Sequence, residues 1–500
     1  MIDWSQFEPA AVWRLFGELV AVPRPSKQET QAMQWVRAWA AKHGYPVVSD
    51  AAGNVVVRVP GKGKLRNGPP VILQGHVDIV VADAEDAPPE VDSAAGRILV
   101  ELGAPDAQGH FRPSPDGGWI GAPYSTLGAD NGIGCAMGMA IAEDPDAVHG
   151  PLELLFTVDE EQGMTGALEL DPQALGLTAK RLINLDTEDD DELTIGCAGG
   201  MDTEVRFPGS WSEVAPGETV TLRVLLKDLR GGHSGVEIHS GRANAIRCLA
   251  RALRASGVES LRIAAICGGE KRNAIPRRAE AVVTVAAADR SSLESSLQEA
   301  ASAMMPLFEG RDFPLRFQVE QVESASRTLT QPSTGQLLDL LIALHHGVFN
   351  VTAEIPDLVE TSNNVATVEV QGDDIVIGCN SRSSMEAGMD DVADAIDAAA
   401  RLAGASSKSF GRYPGWKPNL DSPLLNVTKS AYEKLFGESP HVSAIHAGLE
   451  CGVLGDKLPG LDSISFGPNI RGNHAPGEHV EIASVQKTYR LLREVLANLT

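Results

Sequence analysis

Leu152-Glu-Leu-Leu-Phe-Thr-Val158 runs directly into Asp159-Glu160-Glu161-Gln-Gly163, and Arg181-Leu-Ile-Asn-Leu185 runs into Asp186-Thr-Glu188. Short apolar runs that stop at acids read as buried strands delivering polar groups at their carboxyl ends, the edge at which open α/β sheets bind ligands. Around them, residues 11–19 and 29–43 carry helical apolar spacing, while 54–59 and 71–74 read as strands. That alternation predicts an α/β fold whose mixed, mostly parallel sheet is flanked by helices.

Gly196-Cys-Ala-Gly-Gly200 and the polar stretch to Pro216 read as a boundary. From about Glu218 the spacing predicts strand 220–226, helix 242–255, strands 261–266 and 279–285, helix 291–304 and strand 315–322, the β-α-β-β-α-β order of a ferredoxin-like unit. A similar succession follows, with helix 334–347, strands 366–370 and 374–377, and helix 390–403. Residues 411–418 read as a linker, and the tail offers helices 423–436 and 484–496 around strand 463–466. A chain of 500 residues exceeds what one core usually supports. The expected division is a first domain made of residues 1–200 and 413–500, interrupted by an inserted α+β domain at 201–412.

Composition narrows the function. The 67 acidic against 42 basic residues give a formal charge of −25, which repels polyphosphate and argues against nucleic acid as a partner. No run reaches the ~18 apolar residues of a membrane helix, and the start lacks a basic segment followed by an apolar one, so a cytoplasmic protein without membrane attachment is expected. The six cysteines lie far apart without CxxC spacing, which suits reduced thiols.

Five segments could carry chemistry. Gly75-His76-Val-Asp78 places His76 and Asp78 two positions apart after an apolar strand, so both can point the same way. Alone, the pair fits a packed structural histidine as well as a ligand. Leu127-Gly-Ala-Asp130-Asn-Gly132 leads into an Ala- and Met-rich helix, where Asp130 reads as an N-cap or a ligand. In Asp159-Glu160-Glu161, neighbouring side chains diverge, so one carboxylate can hold a metal while the next reaches a water as general base; a solvated acidic turn is the plainer reading. Asp186 stands at a strand tip ahead of a charge run, and His474 lies in the Gly- and Pro-rich loop Arg471-Gly-Asn-His-Ala-Pro-Gly477. Together these form an N/O donor set that suits Zn²⁺, with a carboxylate left over to bridge two ions.

The ordered phrases GHVD, LGADNG, VDEEQGM, NLDTED, GGHSG and RGNHAPGE resemble the di-zinc metallopeptidases that include aminoacyl-histidine dipeptidase, the cytosolic non-specific dipeptidase. The likeness spans nearly the whole chain, and RNAIPRRAEA, HAGLECG and FGPNIRGNHAPGE fit the dipeptidase branch. The resemblance implies a catalytic domain with an inserted lid or dimerisation domain, a homodimer, two Zn²⁺ (or Mn²⁺ or Co²⁺) and a small peptide as substrate. It implies that Asp130 bridges both ions, that His76 and Asp186 complete one site, and that Glu161 and His474 complete the other. Glu160 becomes the general base and Asp78 the acid that orients His76. The Asp130–Asn131 peptide is expected to be cis. His233 is expected to stabilise the oxyanion, often from the partner subunit, and Arg382, Asn273 and Gly448 to hold the substrate's carboxylate. Glu450 reads either as a contact for the substrate's amine or as a structural acid. The rival readings are an acyl-amino-acid deacylase on the same metals and a non-catalytic binding protein. A serine or cysteine hydrolase is disfavoured by the lack of a G-x-S-x-G elbow.

Overall fold

The acid-terminated runs are strands at the centre of a sheet. Leu152–Thr157 and Val71–His76 are buried along their whole length and pair in parallel, and Arg181–Asn184 and Asp462–Ser465 extend the parallel block. Burial at every position, rather than every second one, marks strands covered on both faces, and the polar side chains among them, Gln74 and Thr157, hydrogen-bond to each other. Further strands flank the block: Val47–Ser49 and Val55–Val59, paired antiparallel, on one side, and Glu192–Cys197, antiparallel to its neighbour, followed by His441–Ile445 on the other, eight strands in all. Parallel pairing brings His76 level with Thr157 and Gln74 level with Asn184, so the polar residues that follow each strand emerge at one edge.

The computed structural model describes residues 2–214, 217, 219–353, 355 and 358–500; Pro216 and Glu218, which bear on the expected boundary, lie outside the described residues. The chain divides into two units. The first comprises the residues up to Gly196, Trp416–Ala444 and Leu449–Thr500; the second comprises Cys197–Gly415 and Ile445–Gly448. Gly448 therefore belongs to the second unit and not to the tail of the first, where the expected boundaries put it.

In the first unit, helix Ala129–Glu143 is buried along nearly its whole length. Its small residues allow close approach: a Cβ on Gly134 would lie 2.5 Å from the Leu185 carbonyl. A small separate sheet pairs Ile470–Arg471 with His479–Glu481, leaving residues 472–478 as the connecting loop.

The second unit holds a nine-stranded sheet built from two β-α-β-β-α-β runs and one further strand, Gly347–Val351, which pairs with Val359–Gln371. One run is Thr219–Leu226, helix Ala245–Ala255, Arg262–Gly268, Ala279–Ala286, helix Arg290–Met304 and Phe317–Gln321. The other is Gly199–Pro208, helix Gln331–Ala343, Val359–Gln371, Asp374–Ser383, helix Glu386–Leu402 and Ser406–Tyr413. In both, the first strand lies between the third and fourth; the two second strands, Arg262–Gly268 and Val359–Gln371, are neighbours in the middle of the sheet and meet at Gly268 and Val368. The first run is inserted after the opening strand of the second. Helix Ala245–Ala255 buries Ile246, Leu249, Ala250 and Leu253, the i, i+3, i+4, i+7 face expected of a helix on a sheet.

Several strands fall where none was expected, and three of them bear on the boundaries. Glu192–Cys197 follows the charge run, Gly199–Pro208 replaces part of the presumed boundary, and Ser406–Tyr413 replaces part of the linker. Within Gly199–Pro208, Met201, Thr203, Val205 and Phe207 are buried and alternate with Asp202, Glu204 and Arg206. The flanking glycines mask this period-2 signal.

Candidate metal centre

His76 ends its strand, and Asp186 follows Arg181–Asn184 by two residues on the adjacent strand. Asp159, with φ of 52°, turns the chain sharply after Leu152–Thr157, so that Glu160 and Glu161 open a short helix, Glu160–Gly163. Asp130 lies at the start of helix Ala129–Glu143 but outside helical geometry, after Gly128 at φ 73°, and the Asp130–Asn131 peptide is cis. His474 also adopts a positive φ of 59° in the 472–478 loop.

These distant segments converge. His76 Nε2 is 3.0 Å from Asp130 Oδ1 and 3.5 Å from Asp186 Oδ1. His474 Nε2 is 3.3 Å from Asp130 Oδ2 and 2.8 Å from Glu161 Oε2. Each oxygen of Asp130 thus faces a different histidine. His76, Asp130 and Asp186 form one group whose ligand atoms all lie within 4.8 Å of one another, and Asp130, Glu161 and His474 form a second.

The electrostatics fit divalent cations. Burial disfavours the His76 imidazolium, yet Asp186, Asp130 and Asp78 outweigh it and hold its pKa well above the usual value. Hydrogen bonds to Asp130 and Glu161 raise His474 to about 11. Burial together with neighbouring acids raises Asp186, Glu161 and, further, Glu160, and pushes Glu188 up to about 8. Acids crowded until they resist ionisation, beside histidines that resist losing protons, are relieved when protons are replaced by metal ions.

A supporting layer fixes these groups. Asp78, fully buried, has Oδ1 3.5 Å from His76 Nδ1, while its backbone carbonyl lies 3.1 Å from the same atom, which leaves Nε2 for the centre. The Asp78 carboxylate also accepts from the backbone N–H of Glu160 at 3.1 Å and of Glu161 at 3.3 Å, and from Ser26 Oγ at 2.9 Å. Glu29 and Asp159 complete a buried acidic group with Asp78. Asn131 Nδ2 donates to the Leu185 carbonyl at 2.7 Å and to Asp186. Glu450, 1% exposed, accepts from Gln74 Nε2 at 2.5 Å and Thr157 Oγ1 at 2.7 Å, both through Oε2. Sequence reasoning missed Ser26, Glu29 and Glu478. Only Glu478, inside the His474 loop motif, carried a signal that could have exposed it.

In the second unit, His233 Nδ1 accepts from the backbone N–H of Gly235 at 3.3 Å and Val236 at 3.1 Å, so the proton of the neutral ring resides on Nε2. Burial and the Arg382 charge push the His233 pKa down to about 4. Arg382, 6% exposed, contacts Tyr413 Oη at 3.4 Å and has no carboxylate partner among the described residues. Gly235 lies close against it: a Cβ there would be 2.9 Å from Arg382 Nε and 2.1 Å from the His446 carbonyl. Asn273, exposed, accepts from Ser234 N–H through its backbone carbonyl at 2.9 Å. Gly448 closes the short Ile445–Gly448 return, whose Ile445 and Ala447 carbonyls accept from Ala198 N–H.

Residues 127–498 match peptidase family M20/M25/M40, and the chain belongs to that family. It is a hydrolytic metallopeptidase. The chain is 36% identical over 500 residues to the cytosol non-specific dipeptidase of Escherichia coli (strain K12), covering 100% of this chain and 99% of that protein. The crystal structure of aminoacylhistidine dipeptidase from Vibrio alginolyticus is 33% identical, with a TM-score of 0.87 over 99% of this chain and 98% of that one. Aminopeptidase PepT from Bacillus cereus ATCC 10987 shares the fold at 16% identity, with a TM-score of 0.54 over 99% of both chains. No described helix is long and apolar enough to cross a membrane.

Proposed function

We propose that this protein is a cytoplasmic dipeptidase that binds two Zn²⁺ ions, with Mn²⁺ or Co²⁺ as substitutes, and cleaves small peptides bearing a free carboxylate. The observation that carries the reading is Asp130, whose two oxygens lie 3.0 Å from His76 Nε2 and 3.3 Å from His474 Nε2. His76, Asp130 and Asp186 would hold one ion, and Asp130, Glu161 and His474 the other. When bound, the ions would supply Lewis acidity and bring the ionisation of water toward neutral pH.

Glu160 has no ligand task in this scheme, and burial with neighbouring acids raises its pKa, which makes its carboxylate a stronger base. It takes the proton of the attacking water on a carboxylate oxygen and returns it to the leaving amine. Asp78 fixes His76 from behind. His233 contributes its Nε2–H to the tetrahedral oxyanion; a ring that stays neutral above about pH 4 keeps that single donor throughout the working range. Arg382 receives the substrate's carboxylate, assisted by Asn273 and the backbone of Gly448. The chain acts as a homodimer, without nucleic acid or membrane as partner.

Purified protein is expected to hydrolyse free dipeptides, to lose that activity with a chelator and to regain it with Zn²⁺. Turnover of N-acetyl amino acids in place of dipeptides would convert the reading to a deacylase.

A further inference from the structure

The loop that presents His474 also carries Glu478, which has no part in the scheme above. Glu478 is 2% exposed, and four consecutive backbone N–H groups donate to its carboxylate. Leu127 at 2.8 Å and Gly128 at 3.0 Å reach Oε2; Ala129 at 2.7 Å and Asp130 at 3.3 Å reach Oε1. The two loops are tied again through the backbone, with Gly477 N–H donating to the Ala122 carbonyl at 2.9 Å and Ala122 N–H to the Glu478 carbonyl at 3.0 Å. The 127–130 strip cannot hold itself as a helical turn, because Gly128 is left-handed and Asp130 has non-helical angles. Glu478 supplies the acceptors that its N–H groups require.

We propose that Glu478 is a positioning residue for the metal centre, its carboxylate holding the 127–130 strip so that the two oxygens of Asp130 are divided between His76 and His474. The inference rests on the reading of Asp130 as a ligand shared by two ions. Zinc–oxygen contacts span only about 2.0–2.2 Å, so a strip loosened by a fraction of an ångström degrades both sites at once. Since His474 and Glu478 share one loop, the clamp also fixes the second histidine relative to the shared carboxylate. Glutamine at 478 keeps the shape but turns one oxygen into an NH₂ that faces N–H donors. Aspartate keeps the charge and shortens the reach by one methylene.

The test titrates metal-free, full-length wild type, E478Q and E478D with Co²⁺, followed by visible absorption. Zn²⁺ affinity is then taken from chelator competition, and kcat and KM from the reloaded proteins on a dipeptide. E478Q is expected to bind both ions about 10–100-fold more weakly, as loss of a group orienting metal ligands typically does. Its cobalt spectrum should change, its kcat should fall more than its KM rises, and E478D should recover part of each. A folded E478Q with wild-type affinity and spectrum overturns the proposal. Failure of both variants to fold also overturns it, since Glu478 would then serve the fold alone. Wild type that takes up no metal defeats the underlying dipeptidase reading, a result distinct from wild type and E478Q binding metal alike.

Discussion

The two sets of candidate residues are opposite in charge. In the first unit, Asp130, Glu160, Glu161, Asp186 and Glu188 crowd around two histidines, and burial with mutual repulsion raises the pKa of Glu160, Glu161, Asp186 and Glu188. In the second, Arg382 has no carboxylate partner among the described residues, and burial together with its charge pushes His233 down to about 4 and His446 down to about 3. The first set is starved of positive charge and the second of negative charge. On the proposed reading each set awaits a different reactant: metal ions for the acids, a peptide's carboxylate for the arginine.

The sharpest way to break this contrast is at Glu160, the acid proposed as general base rather than ligand. Glu160→Gln is expected to retain both metal ions and to lose roughly 10³-fold in kcat, the middle of the range for a general base. Metal analysis with steady-state kinetics checks this, and a loss of metal matching the loss of rate would make Glu160 a ligand instead. The corresponding change in the second set is smaller. Arg382→Met removes a charged hydrogen-bonding partner of the substrate's carboxylate, for which about 1.5–3 kcal/mol is typical, or roughly a 10–150-fold rise in KM. The rise should vanish when a dipeptide amide replaces the free acid; an equal rise on both substrates would assign Arg382 to packing.

Much of the candidate metal centre is legible in the sequence because the proposed ligands interrupt patterns. Glu161 and Asp186 follow short, largely apolar runs that read as buried strands, and His474 stands in a loop too rich in Gly and Pro for helix or strand. Grouping the five ligands in two threes comes from the family resemblance, since no spacing rule connects His76 to Asp186. What stays hidden acts through the backbone or through folded neighbours. Glu478 binds N–H groups nearly 350 residues away, at separations of 348 to 351, which no side-chain pattern encodes. The His233 tautomer depends on the backbone N–H groups of Gly235 and Val236. Gly448 falls in the other unit from the one expected because the Ile445–Gly448 return is only four residues long, without a composition change to mark it.

One carboxylate serving two cations is the claim on which the rest depends. Equilibrium dialysis against buffered free Zn²⁺, followed by elemental analysis, tests it directly on wild type, His474→Ala and Asp130→Ala. Two ions per chain are expected for wild type, one for His474→Ala and none for Asp130→Ala at the same free Zn²⁺. An Asp130→Ala protein that keeps either ion at wild-type affinity would contradict it.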